Sequence, residues 1–255
     1  MPEPTPAPTT PRFRTQPVSF VRRSGRLGAR QQRAWDAHAD RYLLEVPRDV
    51  ARTSVDPSFV VDPQVLFGRT APLVVEIGSG QGEAVVAAAE ADPATDFLAV
   101  EVYTPGLAQT VLRAAQRDLT NLRLVQVNAV ELLATTLPEG GVDELWVFFP
   151  DPWHKSRHHK RRLVTASFAE LAVRVLRAPT EGMTEGTAGG TLRLATDWAE
   201  YAEQMVQVLD AEPGLRNVHG TGGVAPRFDG RVLTGFERKG TAAGRVITDL
   251  EYVRV

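Results

Sequence analysis

The chain has 255 residues, 43% of them apolar and 24% charged, the proportions of a soluble globular protein. It has no cysteine, which excludes disulfide scaffolds, thiolate zinc sites and cysteine nucleophiles and suits a reducing, cytoplasmic setting. The net charge of −2 hides two basic segments without an acid, one carrying Arg12, Arg14, Arg22, Arg23, Arg26, Arg30 and Arg33, the other Lys155, Arg157, Lys160, Arg161 and Arg162. Arginine-led clusters on an otherwise acidic body point to a polyanion such as nucleic acid, where a single cluster would read as a solvated loop.

Residues 1–17 hold six of the 18 prolines and four threonines, so they read as a disordered tail rather than a signal peptide, with 18–255 as one domain. No apolar run approaches the roughly 20 residues that span a bilayer. Residues 19–46 mix arginines with Trp35 and Tyr42 and are expected to be partly helical. From Leu73 the pattern alternates. Short apolar runs predict strands at 73–77, 97–102, 122–127, 144–149 and 191–196. Between them, alanine-rich or amphipathic stretches predict helices at 83–91, 106–119, 130–137, 164–176 and 199–209. Residues 181–190, rich in glycine and threonine, read as a surface loop. From Leu215 onward only strand-like pieces are evident, ending in 246–255. This order predicts an α/β fold with a mostly parallel central sheet and helices on both faces, binding its ligand beyond the carboxyl ends of the strands.

The strand ends carry the chemistry. The first runs into Glu76-Ile-Gly78-Ser-Gly80-Gln-Gly82, three alternate glycines that let backbone approach a ligand. A dinucleotide site would place the third glycine one position later. The spacing found is that of S-adenosylmethionine methyltransferases, where Gly78 and Gly80 would cradle the amino acid part of the cofactor. Glu101 ends the second strand, where a carboxylate can accept ribose hydroxyls; a solvent-exposed glutamate after a tight turn is the plainer reading. Asn128 ends the third, able to address an adenine edge or to serve as a turn asparagine. The fourth strand leads into Phe148-Phe-Pro-Asp151-Pro-Trp153-His-Lys155, an aspartate locked between two prolines beside a stacking face. His154, His158 and His159 lie here too, but the flanking cations oppose a metal dication, and no metal site is expected.

With these motifs in view, the chain resembles the bacterial tRNA (guanine-N7-)-methyltransferase family over about 19–255. The resemblance rests on the glycine turn, on Glu101-Val-Tyr-Thr-Pro-Gly106, on the Phe-Phe-Pro-Asp-Pro-Trp-His-Lys block, on Ala195-Thr-Asp-Trp198 and on Thr234-Gly-Phe-Glu237. It implies a Rossmann-like class I methyltransferase fold and methylation of N7 of guanosine 46 in the tRNA variable loop. It further implies S-adenosylmethionine contacts at Glu76, Glu101, Asn128 and Asp151, and tRNA contacts at Lys155, Asp197, Thr234, Gly235, Phe236 and Glu237, with Asp151 as the active-site residue. The family often has aspartate where this chain has Asn128.

Guanine N7 has a free lone pair and no proton to lose, so positioning and desolvation matter more than a strong base. Asp151 could stabilise the charge arriving on guanine, bond its N1 and amino edge, or orient the cofactor. Asp197 could address the guanine edge, cap the following helix, or both. Arginines 22–33 and the cations 155–162 would grip the tRNA backbone. No obligatory protein partner is expected. Three rivals fit less well: a nicotinamide oxidoreductase lacks its glycine spacing, a non-catalytic RNA-binding protein leaves Glu101 and Asp151 unexplained, and an amine methyltransferase would show Asp-Pro-Pro-Tyr.

Overall fold

A computed structural model describes residues 26–179 and 189–255. The expected tail at 1–17, the arginines at 12, 14, 22 and 23, and residues 181–188 of the glycine-rich loop lie outside the described residues.

Most of the apolar runs lack polar alternation, as strands covered on both faces do. The runs form β1 (Leu73–Ile77), β2 (Asp96–Val100), β3 (Leu122–Val125), β4 (Glu144–Phe148) and β5 (Thr191–Thr196), all parallel. Two strands beyond them, β6 (Leu215–Asn217) and β7 (Thr248–Arg254), complete a seven-stranded sheet in the order β3-β2-β1-β4-β5-β7-β6. In it β7 runs antiparallel to both neighbours.

Successive strand residues face opposite sides, so each strand feeds two cores. Leu73, Val75 and Ile77 join one with Phe168, Ala172, Tyr201 and Met205; Val74 joins the other with Val85, Leu107, Val111 and Tyr42. The first face is covered by α5 (Ala129–Glu131) with the π turn Leu132–Thr136 that continues it, by α6 (Ala166–Val175) and by α7 (Ala199–Asp210). The second is covered by α3 (Glu83–Ala91), α4 (Thr104–Gln116) and α1 (Ala29–Tyr42). A short α2 (Pro63–Phe67) precedes β1, and α8 (Gly235–Ala242) lies between β6 and β7.

The sequence expectation of strand-like pieces alone after Leu215 is therefore incomplete, because α8 forms there. The strands at β2, β3 and β4 also end one or two residues earlier than the apolar runs suggest. The chain turns at those ends to build the site. It leaves β1 toward β2 on one side and β4 lies on the other, so the crevice opens above β1 and β4, the switch point of the sheet. Among the described residues no helix is long and apolar enough to cross a membrane.

Candidate active site

Past β1, Gly78, Gly80 and Gly82 all take left-handed backbone angles (φ 72°, 56° and 71°), which residues with a Cβ disfavour. The turn folds back onto the start of α4, where a Cβ on Gly106 would overlap the Gly80 carbonyl oxygen. Glu101, just beyond β2, locks this arrangement. Gly80 N–H donates to its Oε2 at 2.8 Å, and Val102 and Tyr103 N–H donate to its Oε1 at 2.7 and 2.9 Å. A carboxylate has about four acceptor positions, so Oε2 keeps one for a ligand hydroxyl.

Glu76 is 4% exposed, and among the described residues its Oε2 has no hydrogen-bond partner. Burial pushes its pKa up to about 8, against the Val85 amide and with help from the Glu101 charge. Burial also raises Glu101, against the Tyr103, Gly80 and Val102 amides and with the Asp151 charge adding to it. Asp151 reaches solvent, yet partial desolvation by the cleft walls raises it too, with His154 opposing. An orphaned buried carboxylate oxygen beside two further desolvated acids suits a cationic ligand. S-adenosylmethionine carries an ammonium and a sulfonium, so the residues present fit it. Asn128 is nearby, but its Oδ1 accepts from Val130 and Glu131 N–H and caps α5. The cleft holds about 800 Å³ and is lined by Glu76, Gly78, Gly80, Glu101, Asn128, Asp151, Thr234, Gly235 and Phe236 among others.

β4 runs into Asp151 through a strained turn. Phe149 (φ 53°) and Trp153 (φ 47°) are both left-handed, a conformation that costs a bulky residue about 1–3 kcal/mol and persists only where the surroundings enforce it. Phe149 N–H donates to the Ala195 carbonyl at 2.8 Å. The fully buried Arg231 guanidinium lies 5.3 and 5.5 Å from the Phe148 and Phe149 ring centroids, paired with Glu237 and Asp249. Asp151 itself is exposed at the cleft mouth.

On the opposite wall, Thr234 caps α8 by accepting from Glu237 N–H at 3.2 Å. Gly235 N–H donates to Glu83 Oε2 at 2.6 Å, tying α8 to α3. Phe236, 61% exposed, reaches Gly80. Glu237 is buried away from the cleft lining. Burial pushes its pKa up, but bonds from Arg227 and Arg231 outweigh this and hold it below the usual carboxylate range. Lys155 is exposed at the start of a 3-10 turn, Ser156–Arg161, outside the lining. Asp197 also lies outside it and accepts from Arg245 Nε at 2.8 Å. The alternative reading of Asp197 as a helix cap is not met: Trp198 is the N-cap of α7.

The three histidines part company. His154 packs tilted against Trp198 with ring centroids 4.1 Å apart, His158 meets Trp153 edge-on, and His159 lies 3.0 Å from Arg162. Among the described residues no group of three or more His, Cys, Asp or Glu could hold a metal ion. Arg26, Arg30, Arg33, Lys155, Arg157, Lys160 and Arg161 are exposed. Arg162 is not; at 3% exposure it faces protein, which corrects its reading as a phosphate grip.

Residues 70–250 match a family described as a putative methyltransferase. The tRNA (guanine-N(7)-)-methyltransferase of Paenarthrobacter aurescens (strain TC1) is 45% identical, covering 97% of each chain. That of Nocardioides sp. (strain ATCC BAA-499 / JS614) is 50% identical over 93% of this chain and 87% of its own. The chain belongs to the tRNA (guanine-N7-)-methyltransferase family. The fold is that of class I methyltransferases. It is shared with the 16S rRNA methyltransferase KamB (TM-score 0.52, 18% identity, 76% of this chain and 94% of that chain). It is shared also with the 16S rRNA (adenine(1408)-N(1))-methyltransferase of Catenulisporales acidiphilia (TM-score 0.51, 20% identity, 83% and 99%).

Within this family member, sequence reasoning missed Arg231 and Glu83, which brace the cleft without a motif of their own, and took Arg162 for a tRNA-gripping cation. One signal was available. Thr234-x-x-Glu237 has the spacing of a helix capping box and marks the start of α8.

Proposed function

We propose that this chain methylates N7 of guanosine in tRNA, at position 46 of the variable loop, with S-adenosylmethionine as donor. The reading is carried by one observation: the glycine turn, the orphaned Glu76 oxygen, Glu101 and Asp151 share a single cleft, in a member of this family. When bound, the cofactor would supply an electrophilic sulfonium methyl, which the N7 lone pair would take directly as the carbon–sulfur bond breaks and S-adenosylhomocysteine leaves. Glu76 would hold its ammonium, Glu101 its ribose through Oε2, and Asn128 would stand at the adenine end. Asp151, fixed in its strained turn, would face the guanine and favour the positive charge that arrives on the ring. No residue needs to remove a proton from N7. Trp153 and Phe236 offer apolar faces that exclude water from the reacting groups. The exposed cations of α1 and of the 155–161 stretch would hold tRNA phosphates, and work on tRNA would place the protein in the cytoplasm.

The test is methyl transfer from labelled cofactor to unmodified tRNA, followed by nucleoside analysis. A 7-methylguanosine product at position 46 is expected. Methyl groups on an exocyclic amine, or none on tRNA, would refute the reading.

A further inference from the structure

Pro150 and Pro152 have no N–H, so in the stretch Pro150-Asp151-Pro152 only Asp151 brings a backbone donor. Such a turn must be held largely through its carbonyls. Arg162 holds one of them. Its Nε donates to the Pro152 carbonyl oxygen at 2.8 Å. Its other nitrogens donate to Gln204 Oε1 at 2.6 Å and Glu200 Oε1 at 3.3 Å, and lie 3.0 Å from His159 Nε2. The guanidinium carbon lies 4.9 Å from the centroid of the buried Tyr201 ring. Glu200, Tyr201 and Gln204 all sit on α7, so one planar fork ties the carbonyl following Asp151 to a helix anchored in the core.

We propose that Arg162 is a positioning residue for methyl transfer: it fixes the strained Asp151 turn against α7 and does not contact tRNA. This rests on the role of Asp151 proposed above. Lysine cannot replace it, because one ammonium lacks the fork that serves Pro152 and α7 together.

The experiment compares wild type, Arg162→Lys and Arg162→Ala as full chains, with kcat and both KM values for tRNA methylation, tRNA binding across a salt series, and thermal melting. The expected kcat loss in Arg162→Ala is about 100-fold, the scale of a misplaced reacting group, with a smaller loss in Arg162→Lys. The KM for the cofactor and the salt slope of tRNA binding are expected to stay at wild-type values, and added guanidinium ion at low concentration to restore part of the Arg162→Ala activity. A salt slope shallower by about one with kcat retained would mark a phosphate contact and overturn the proposal. Wild-type kcat per folded molecule in Arg162→Lys would also overturn it, and that variant decides the matter if Arg162→Ala does not fold. Should wild type form no 7-methylguanosine, the proposed function falls and takes this inference with it. Active wild type with unaffected variants overturns this inference alone.

Discussion

Replacing Glu76 by glutamine separates the two consequences of burying a carboxyl group. In the free protein Glu76 titrates at about 8 rather than 4.5. A raised acid keeps in the folded state a proton that the unfolded chain gives up, so stability falls as pH rises from 4.5 to about 8. At 1.36 kcal/mol per pH unit the penalty is about 3 kcal/mol at pH 7 and about 5 kcal/mol above pH 8. Glutamine keeps the shape and cannot ionise. The Glu76→Gln protein is expected to melt above wild type at pH 8, with the difference vanishing towards pH 4.5. Ligand binding runs the other way. An ammonium beside Oε2 favours the ionised carboxylate, so binding at pH 7 expels close to one proton at a cost of about 1.4 kcal/mol, tenfold in affinity. Calorimetry with S-adenosylhomocysteine, in two buffers of different ionisation enthalpy, reads this directly. Wild type is expected to release about one proton at pH 7 and to bind roughly tenfold tighter per unit between pH 6 and 7. The variant is expected to bind more weakly, without proton release. Pairing of Glu76 with the ligand's ammonium is refuted if wild type exchanges no proton, or if the variant binds as tightly as wild type.

Asp151→Ala is expected to lose about 10²–10³-fold in kcat while melting and cofactor binding stay near wild type, because its side chain is exposed and the turn is braced from both sides; retained turnover would remove Asp151 from the chemistry. Arg231→Met leaves the buried Asp249 without its guanidinium and Glu237 with Arg227 alone, and should cost about 3–5 kcal/mol in denaturant unfolding. A loss under 1 kcal/mol would show that the two carboxyls find other partners or protonate cheaply. Arg30→Ala with Arg33→Ala, both exposed on α1, should lower the salt slope of tRNA binding by about two and leave kcat at saturation unchanged. An unchanged slope would place the tRNA elsewhere.

The cofactor half of the site was legible because its determinants are local. A buried parallel strand closed by glycine says where the strand stops, and the chain must then turn at the carboxyl edge of the sheet. Gly78, Gly80 and Glu101 could therefore be placed from sequence spacing alone. Asn128 was placed as well, but its competing turn role could be weighed only with the Val130 and Glu131 amides in position. The substrate half depends on pairings across long separations. Asp197 was read as a guanine-edge contact with a helix cap as the alternative, yet it is engaged by Arg245, 48 residues away. α8 hid behind Gly235 and Gly240, which lower helix propensity, although the Thr234–Glu237 spacing announces its start.

The cations at 155–162 show the same limit most sharply. In the sequence they form one basic run, and charge alone cannot rank them. In the fold Arg161 lies over the exposed side of the site, 5.0 Å from the Trp153 ring centroid, while its neighbour Arg162 turns under α7 and is buried. Adjacent arginines therefore face different environments: one can meet phosphate, and the other can act only through the backbone it holds. Neutralising the run as a block would lower both tRNA affinity and kcat and would be read as electrostatics throughout. Only single substitutions, with the salt slope measured beside kcat, separate attraction of the substrate from the geometry of Asp151.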